Sequence, residues 1–450
     1  MKAKESSTRL LAFKILNRVL FEGAYPDLAL KSAFEKNPDV TSIDKALLTE
    51  LVYGVTRWLG KLDYIIGLFV ERKVNKKEIL NILRIGLYQL LFLEGIPDYA
   101  AIFETVDIAK GIYGERIARF INAILREFLR NKGNIHYPAK ELSPISYISV
   151  NYSFPQWLVE KWVDTFGIDY VEKLCNSLNQ IPPLIGRVNT LKTTRGGLIR
   201  KIGNRNIEVT ETKYSPTGIS FLTDLNPAEV PEFSLGFFTV QDEGAQLISY
   251  LLNPKPEEKI LDACSAPGGK STHIAELMEN RGEIIACDIN PSRLKLVESQ
   301  SRRLGVKIIK TMCADASDEG FMREEGFDKI LVDAPCSGLG TIRRNPDIKW
   351  KRTWSDVLEL SEIQFRILSE TSVGLKVNGI IVYAVCTLMP EENEGVIQEF
   401  LSAHPEFKID LEVESTSQVK DLLDENGFFI SDPVRHNMDG FFAVRLRKIK

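Results

Sequence analysis

The reading of this chain turns on Leu261–Lys270, Leu-Asp-Ala-Cys-Ser-Ala-Pro-Gly-Gly-Lys. A short apolar run, Lys259–Leu261, leads into it and a helix-like stretch, Thr272–Met278, follows, so the segment reads as strand end, tight loop and helix start. Gly268 and Gly269 permit a sharp turn and close approach of backbone to a ligand, and the first turn of the helix offers unpaired amide N–H groups. The spacing is neither the Gly-x-x-x-x-Gly-Lys-Ser/Thr of a phosphate-binding loop nor the Gly-x-Gly-x-x-Gly of dinucleotide folds. By itself a Gly-Gly turn serves structure as readily as a cofactor, and the decision comes from what surrounds it.

Towards the C-terminus, strand and helix patterns alternate as in an open parallel sheet with helices on both faces. The expected strands are 259–262, 284–288, 307–311, 329–333 and 379–384, with 428–431 and 441–446 as an antiparallel finish. Ligands of such sheets sit beyond the carboxyl ends of the strands. Asp262, Asp288, Asp315 and Asp333 fall at or just after those ends. A nucleoside cofactor accounts for the series: Asp288 accepts from the ribose hydroxyls, Asp315 from the adenine amino group, and the loop Cys264–Lys270 brackets an amino-acid end. A sugar-binding Asp after the second strand also occurs in NAD folds, but the glycine pattern counts against NAD.

Two cysteines complete the pattern. Asp333-Ala334-Pro335-Cys336-Ser337-Gly338 and Ala384-Val385-Cys386-Thr387 each follow a strand, and those strands are expected to be neighbours, so both thiols face the cleft. One such cysteine is ordinarily a small buried hydrophobe. A pair suits methylation of an unactivated pyrimidine carbon. A thiolate adds at C6 of cytosine, C5 becomes nucleophilic enough to take a sulfonium methyl, and loss of the C5 proton lets the thiol leave. Methylation of oxygen or nitrogen needs no covalent step. Asp333 near N3/N4 would favour the addition. Spacing does not decide which cysteine attacks.

The N-terminal third reads as helical throughout: Leu80, Leu83, Leu87 and Leu90 share a face, as do Ile117, Phe120, Ile121, Ile124 and Phe128, and 44–60 and 97–110 fit further helices. Residues 1–132 carry 21 Lys/Arg against 16 Asp/Glu in a chain of formal charge −4, a weak pointer to RNA. Residues 131–143 read as a linker. Helices carrying Trp157, Leu158 and Trp162 and then 170–178 follow, with the tryptophans expected in a core. A small α/β unit comes next, with strands at 184–189, 207–212, 219–221 and 237–240 around a helix near 193–202; Arg187 is open to a phosphate or a structural role there. The run Thr341–Arg352 has five basic residues and one acidic and lies just after Cys336, which places it on an RNA path, with Trp350 either stacking on a base or anchoring the loop. Arg445, Arg447, Lys448 and Lys450 read as a solvated tail.

A chain of 450 residues exceeds one ordinary core, and 44% apolar with 26% charged residues is a soluble globular composition. No leader or membrane-spanning run is evident, so a cytoplasmic protein is expected. Six cysteines without Cys-x-x-Cys spacing and four histidines suggest neither a disulfide scaffold nor a metal site.

Several of these motifs resemble one family. Leu83–Leu90, Pro97–Val106 and Asn122–Arg126 resemble the NusB-like RNA-binding domain; Gly186–Thr190, Gln241–Gln246, Asp262–Lys270, Asp333–Gly340, Tyr383–Gly395 and Asp439–Phe442 resemble the bacterial 16S ribosomal RNA cytosine-C5 methyltransferases of the RsmB/NOP family. The resemblance runs nearly end to end. It implies an all-α NusB-like bundle (1–143), a helical linker plus small α/β domain (144–240) and a Rossmann-like class I methyltransferase domain (241–450). The implied cofactor is S-adenosylmethionine, with contacts at Cys264, Ser265, Ala266, Pro267, Gly268, Gly269, Lys270, Asp288, Asp315 and Asp333. It also implies Cys386 as nucleophile, Cys336 as the thiol that assists release, and Asp333 and Lys270 as supporting groups. Val385 stands where Thr is usual before the nucleophile, and Thr387 where Ser is common. The implied partner is 16S ribosomal RNA, naked or in an early small-subunit particle, with no DNA, no membrane and a monomeric enzyme. The same chemistry on tRNA and a non-catalytic NusB-like RNA-binding factor are the alternatives.

Overall fold

A computed structural model describes residues 7–70, 76–223, 225–323, 326–411 and 418–450. The chain forms two compact units, one of Met1–Gln180 with Ile342–Arg352, the other of Ile181–Thr341 with Thr353–Lys450.

The first unit is helical among its described residues. Thr8–Phe21, Pro26–Lys36, Ser42–Arg57, Leu59–Phe69, Lys77–Phe92, Asp98–Tyr113 and Glu115–Asn131 are followed by Pro144–Asn151, Gln156–Phe166 and Ile168–Leu178. Leu83, Leu87, Leu90, Ile121, Ile124 and Phe128 are all in one buried cluster, as their spacing predicts. Lys77–Phe92 is surrounded on nearly every side, so its polar residues need partners. Arg84 supplies a fork to Asp63, both contacts at 2.7 Å, and a third bond to Asn81 Oδ1. Trp162 is fully buried, in keeping with a core role.

The basic run after Cys336 departs from expectation. Ile342–Arg352 packs within this helical unit. Arg343 and Lys349 are buried, so neither is a surface phosphate contact. Lys349 Nζ lies 3.9 Å from the Phe154 ring centroid and donates to Asn179 Oδ1 at 3.3 Å. Burial drives this ammonium well below its usual range. Trp350 Nε1 donates to the Thr56 carbonyl at 2.7 Å and Lys351 Nζ to the Ala24 carbonyl at 2.8 Å. Trp350 therefore anchors the segment. Charge count misled here because Ile342 and Pro346 are buried among the cations and take their neighbours inside.

The second unit carries two sheets. β1 (Leu184–Val188), β2 (Val209–Glu211), β3 (Gly218–Phe221) and β4 (Phe238–Val240) form an antiparallel sheet in the order β2-β3-β1-β4, with helix Arg195–Gly203 beside it. The larger sheet contains β5 (Lys259–Asp262), β6 (Glu283–Asp288), β7 (Ile309–Cys313), β8 (Phe327–Asp333), β9 (Leu375–Val385), β10 (Phe407–Ile409), β11 (Phe428–Ser431) and β12 (Phe441–Lys448). Its order is β10-β12-β9-β8-β5-β6-β7, with β11 on β12. β5 to β9 run parallel and β12 antiparallel, the expected doubly wound arrangement. β7 lies two residues beyond its expected start, and β10 had no clear periodic signal.

Of the C-terminal cations Lys450 is exposed as a solvated tail would be, but Arg445 and Lys448 are buried in β12. Arg445 Nε donates to Asp410 at 2.7 Å, Arg447 reaches the same carboxylate at 2.9 Å, and Lys448 Nζ donates to the Leu375 carbonyl. The strand continues two residues past its last apolar alternation because these cations find acceptors inside the sheet.

Candidate active site

The site lies at the carboxyl ends of the parallel strands, where the reversal of strand order about β5 opens a crevice. The cleft holds about 630 Å³, within the range of small-molecule sites, and its walls include Cys264, Ala266, Lys270, Asp288, Asp315, Asp333, Cys336 and Cys386.

The loop after β5 begins the cleft. Gly268 has φ of 100°, and a Cβ there would stand 3.0 Å from Val297 Cα, so conformation and contact both require glycine. The helix Gly269–Leu277 starts immediately afterwards. Ser265 is buried and its Oγ has no hydrogen-bond partner among the described residues. Ser265, Pro267, Gly268 and Gly269 are not among the wall residues. Asp288, at the end of β6, is nearly buried; one oxygen accepts from Asn290 N at 2.9 Å and the other from Ala266 N at 3.2 Å, which ties the β6 end to the loop. Asp315 follows β7 and accepts from Ser317 N and Oγ through one oxygen.

Three of the four acidic strand ends thus line the crevice. The fourth does not: Asp262 is fully buried and accepts from Ser271 Oγ at 2.6 Å, while its Oδ1 has no partner among the described residues. Burial, opposed by the Ser271 bond, pushes its carboxyl up to about 7. Between the ordinary value of 3.8 and about 7 the unfolded chain releases this proton while the folded one keeps it. Stability therefore falls as pH rises through that window, by up to roughly 4 kcal/mol in total. Asp262→Asn, which preserves the acceptor for Ser271, is expected to remove that loss. Unfolding midpoints followed from pH 4 to 8 should converge for the two proteins at acid pH and separate with the variant more stable above pH 7.

The two thiols meet. Asp333 pairs with Ala384 across β8 and β9, so Cys336 and Cys386 leave adjacent strands at the same level. Their sulfurs are 3.3 Å apart, and Cys386 N donates to Cys336 Sγ at 3.3 Å. The hydrogen bond with Cys386, then burial, then the charges of Cys386 and Glu392 push the Cys336 thiol well above its usual range. Burial does the same to Cys264. Lys270 Nζ donates to Asp333 Oδ2 at 2.7 Å and lies 5.3 Å from the Phe441 ring centroid. Burial works against its charge, but the Asp333 carboxylate overrides it and a Cys386 thiolate adds to the effect, so the ammonium is held above its usual range. The pair sets Lys270 and Asp333 side by side in the wall of the cleft.

Sequence reasoning passed over the support beneath these groups. Gln364 on helix Trp354–Ser372 and Tyr383 inside β9 are buried and hydrogen-bonded to Glu392. Their spacing reads only as core, and nothing in the chain order marks them. Arg187 is also settled: it is fully buried and bonded to Glu276 and the Gly269 carbonyl, which excludes phosphate contact.

A doubly wound sheet with a nucleoside-sized acidic crevice and two converging thiols defines a class I methyltransferase fold equipped for covalent attack on its substrate. Comparison with known proteins narrows the class. Residues 249–447 match the family described as 16S rRNA methyltransferase RsmB/F, 6–130 the NusB family, and 154–226 the ferredoxin-like domain of RsmF/B-like methyltransferases. The chain is 38% identical over 455 aligned residues to the probable ribosomal RNA small subunit methyltransferase B of Bacillus subtilis, covering 99% of each. It is 36% identical to the Synechocystis protein of the same description, covering 98% of this chain and 99% of that one. Among solved structures, PH0851 superposes with a TM-score of 0.82 at 28% identity over the whole of both chains. The chain belongs to the RsmB family of ribosomal RNA small subunit methyltransferases.

Proposed function

We infer that this chain is an S-adenosylmethionine-dependent methyltransferase acting on C5 of a cytosine in 16S ribosomal RNA. The observation that carries the reading is the 3.3 Å approach of Cys336 and Cys386 at the rim of the acidic cleft. When bound, S-adenosylmethionine supplies an electrophilic methyl group on a sulfonium. The cleft fits it: Asp288 and Asp315 line it and would hold the ribose and adenine, and the loop Cys264–Lys270 would bracket the amino-acid end.

The resemblance to the RsmB/NOP methyltransferases gives the attack to Cys386, with Cys336, 3.3 Å from it, as the thiol that assists release. Cys386 forms a bond to C6, and the electron pair displaced onto the ring makes C5 nucleophilic. The Lys270 ammonium, fixed by Asp333, balances negative charge beside the attacking sulfur. After C5 has taken the methyl group, its proton passes to the Cys336 sulfur, which has released its own to solvent. The S–C6 bond then breaks, its electron pair returning to Cys386 sulfur. The target cytosine has to be unpaired or turned out of its stack to reach this rim.

Residues 1–143 serve as the RNA-seating module, 144–240 as the joint and small α/β domain, and 241–450 as the catalytic domain. The substrate is 16S RNA, naked or in an early small-subunit particle, rather than DNA, and the enzyme acts as a cytoplasmic monomer. No helix among the described residues is long and apolar enough to cross a membrane. Bisulfite mapping of ribosomal RNA and tRNA from cells with and without the protein tests the reading. One 16S cytosine should lose protection in its absence; loss confined to tRNA, or to no RNA, would overturn it.

A further inference from the structure

Beneath the two thiols lies a buried carboxylate that the chemistry above does not use. Glu392 follows the Cys386 loop, and each of its oxygens accepts two hydrogen bonds. Oε1 takes Ser337 N at 2.7 Å and Gln364 Nε2 at 2.9 Å; Oε2 takes Thr387 Oγ1 at 3.0 Å and Ser337 Oγ. These four donors fill the acceptor capacity of a carboxylate. Gln364 Nε2 also donates to the Pro335 carbonyl at 2.9 Å, and Tyr383 Oη, 2.6 Å from the Glu392 carbonyl and 3.0 Å from Gln364 Oε1, has one proton to share between them. Pro335 and Ser337, the residues flanking Cys336, are thus both fastened to the Glu392–Gln364 pair.

The two cysteines do not depend on this network equally. Cys386 directly follows β9, a buried strand paired on both sides, and its own carbonyl accepts from Gly340 N at 3.0 Å. Cys336 lies in Ala334–Gly338, a stretch without regular secondary structure. Removing Glu392 frees Thr387 beside Cys386 too, but that cysteine still follows a doubly paired strand, so the Cys336 segment loses the greater part of its support.

We propose that Glu392 is a positioning residue for the release step: it holds Cys336 beside the Cys386 adduct, and without it attack on C6 outlasts resolution of the adduct. This rests on the assignment of Cys386 to attack and Cys336 to release. The step it supports is the one given above: the C5 proton passes to the Cys336 sulfur, the S–C6 bond breaks, and the electron pair returns to Cys386.

The test uses the full-length enzyme, S-adenosylmethionine and 16S RNA, and reads denaturation-resistant RNA–protein adduct alongside methyl turnover. Glu392→Ala is expected to raise the ratio of adduct to product at least tenfold over the unsubstituted enzyme. In Glu392→Gln the amide oxygen can keep the two N–H donors and the amide nitrogen can donate to the two hydroxyls, so it should recover a tenfold or larger part of the turnover lost in the alanine variant. Should Glu392→Ala fail to fold, Gln364→Met, which releases the Pro335 carbonyl, should raise the same ratio. Adduct and turnover falling in step in a folded variant would overturn the proposal, as would a glutamine variant no better than alanine. Cys336→Ala separates the two levels of inference. If it traps adduct and Glu392→Ala does not, only the role of Glu392 is wrong; if it traps none, the assignment of the two thiols is wrong.

Discussion

Cys386→Ala is expected to abolish methyl transfer, lowering turnover by on the order of 10³-fold or more, the scale on which loss of an attacking nucleophile is felt. Cys336→Ala should behave differently. The family resemblance makes Cys336 the thiol that assists release, and its sulfur lies 3.3 Å from that of Cys386. Removing it leaves the addition possible and the release impaired, so RNA should accumulate on the protein through Cys386. Gel-resolved adduct from labelled RNA, with peptide mapping of the modified cysteine, checks both outcomes together. Adduct in the Cys386 variant, attached at Cys336, would reverse the roles. The contrast is informative because both sulfurs occupy one cleft at 3.3 Å, so mere distance from the substrate cannot explain different phenotypes.

The parts of this site that were legible in the sequence are those fixed by strand ends. A strand followed by Asp and then a loop residue has only one place to put that residue in an open parallel sheet, and the β8–β9 register realises it for Cys336 and Cys386. Asp288, Asp315 and Asp333 were readable for the same reason. Asp262 obeyed the same pattern yet turned inward to Ser271, in the first turn of the helix that follows its own loop, a contact that the strand-end rule does not foresee. Residues whose role comes from long-range partners left no local sign. Gln364 is one polar residue in an amphipathic helix, and only the fold brings it to Pro335 and Glu392. Cation-rich runs misled for a related reason. Lys349 and Arg445 look solvated in a charge count, but each is interleaved with apolar residues and finds a ring or a carboxylate inside. The resemblance of Tyr383–Gly395 to the family motif pointed at the Glu392 segment without giving the physical role of that carboxylate.

Arg187→Ala is expected to have the largest effect on stability. Arg187 is fully buried, and all five of its N–H donors are engaged. Nε and Nη2 grip Glu276 at 3.2 and 2.8 Å, Nη2 also reaches Thr272 Oγ1 at 3.1 Å, and Nη1 donates to the Gly269 carbonyl at 2.6 Å and to Gln241 Oε1. One side chain on β1 thus braces the helix that begins at the cofactor loop. Burial pushes the Glu276 carboxyl up, and the Arg187 charge only partly offsets this, so desolvation consumes most of what the ion pair contributes. A pair of that kind adds little net stability while intact and becomes costly when halved. Truncation would strand Glu276 inside without its cation, at about 3–5 kcal/mol. In a thermal scan that corresponds to a drop on the order of 10 °C in the transition of the unit containing both sheets. Replacing both partners, as Arg187→Met with Glu276→Met, should restore much of this loss because no uncompensated charge remains. The double variant still lacks the bond to the Gly269 carbonyl, so its S-adenosylmethionine affinity by calorimetry should stay weaker than that of the unsubstituted enzyme even where its unfolding temperature recovers. Parallel recovery of both quantities would show that Arg187 supports the fold alone and leaves the cofactor loop to hold itself.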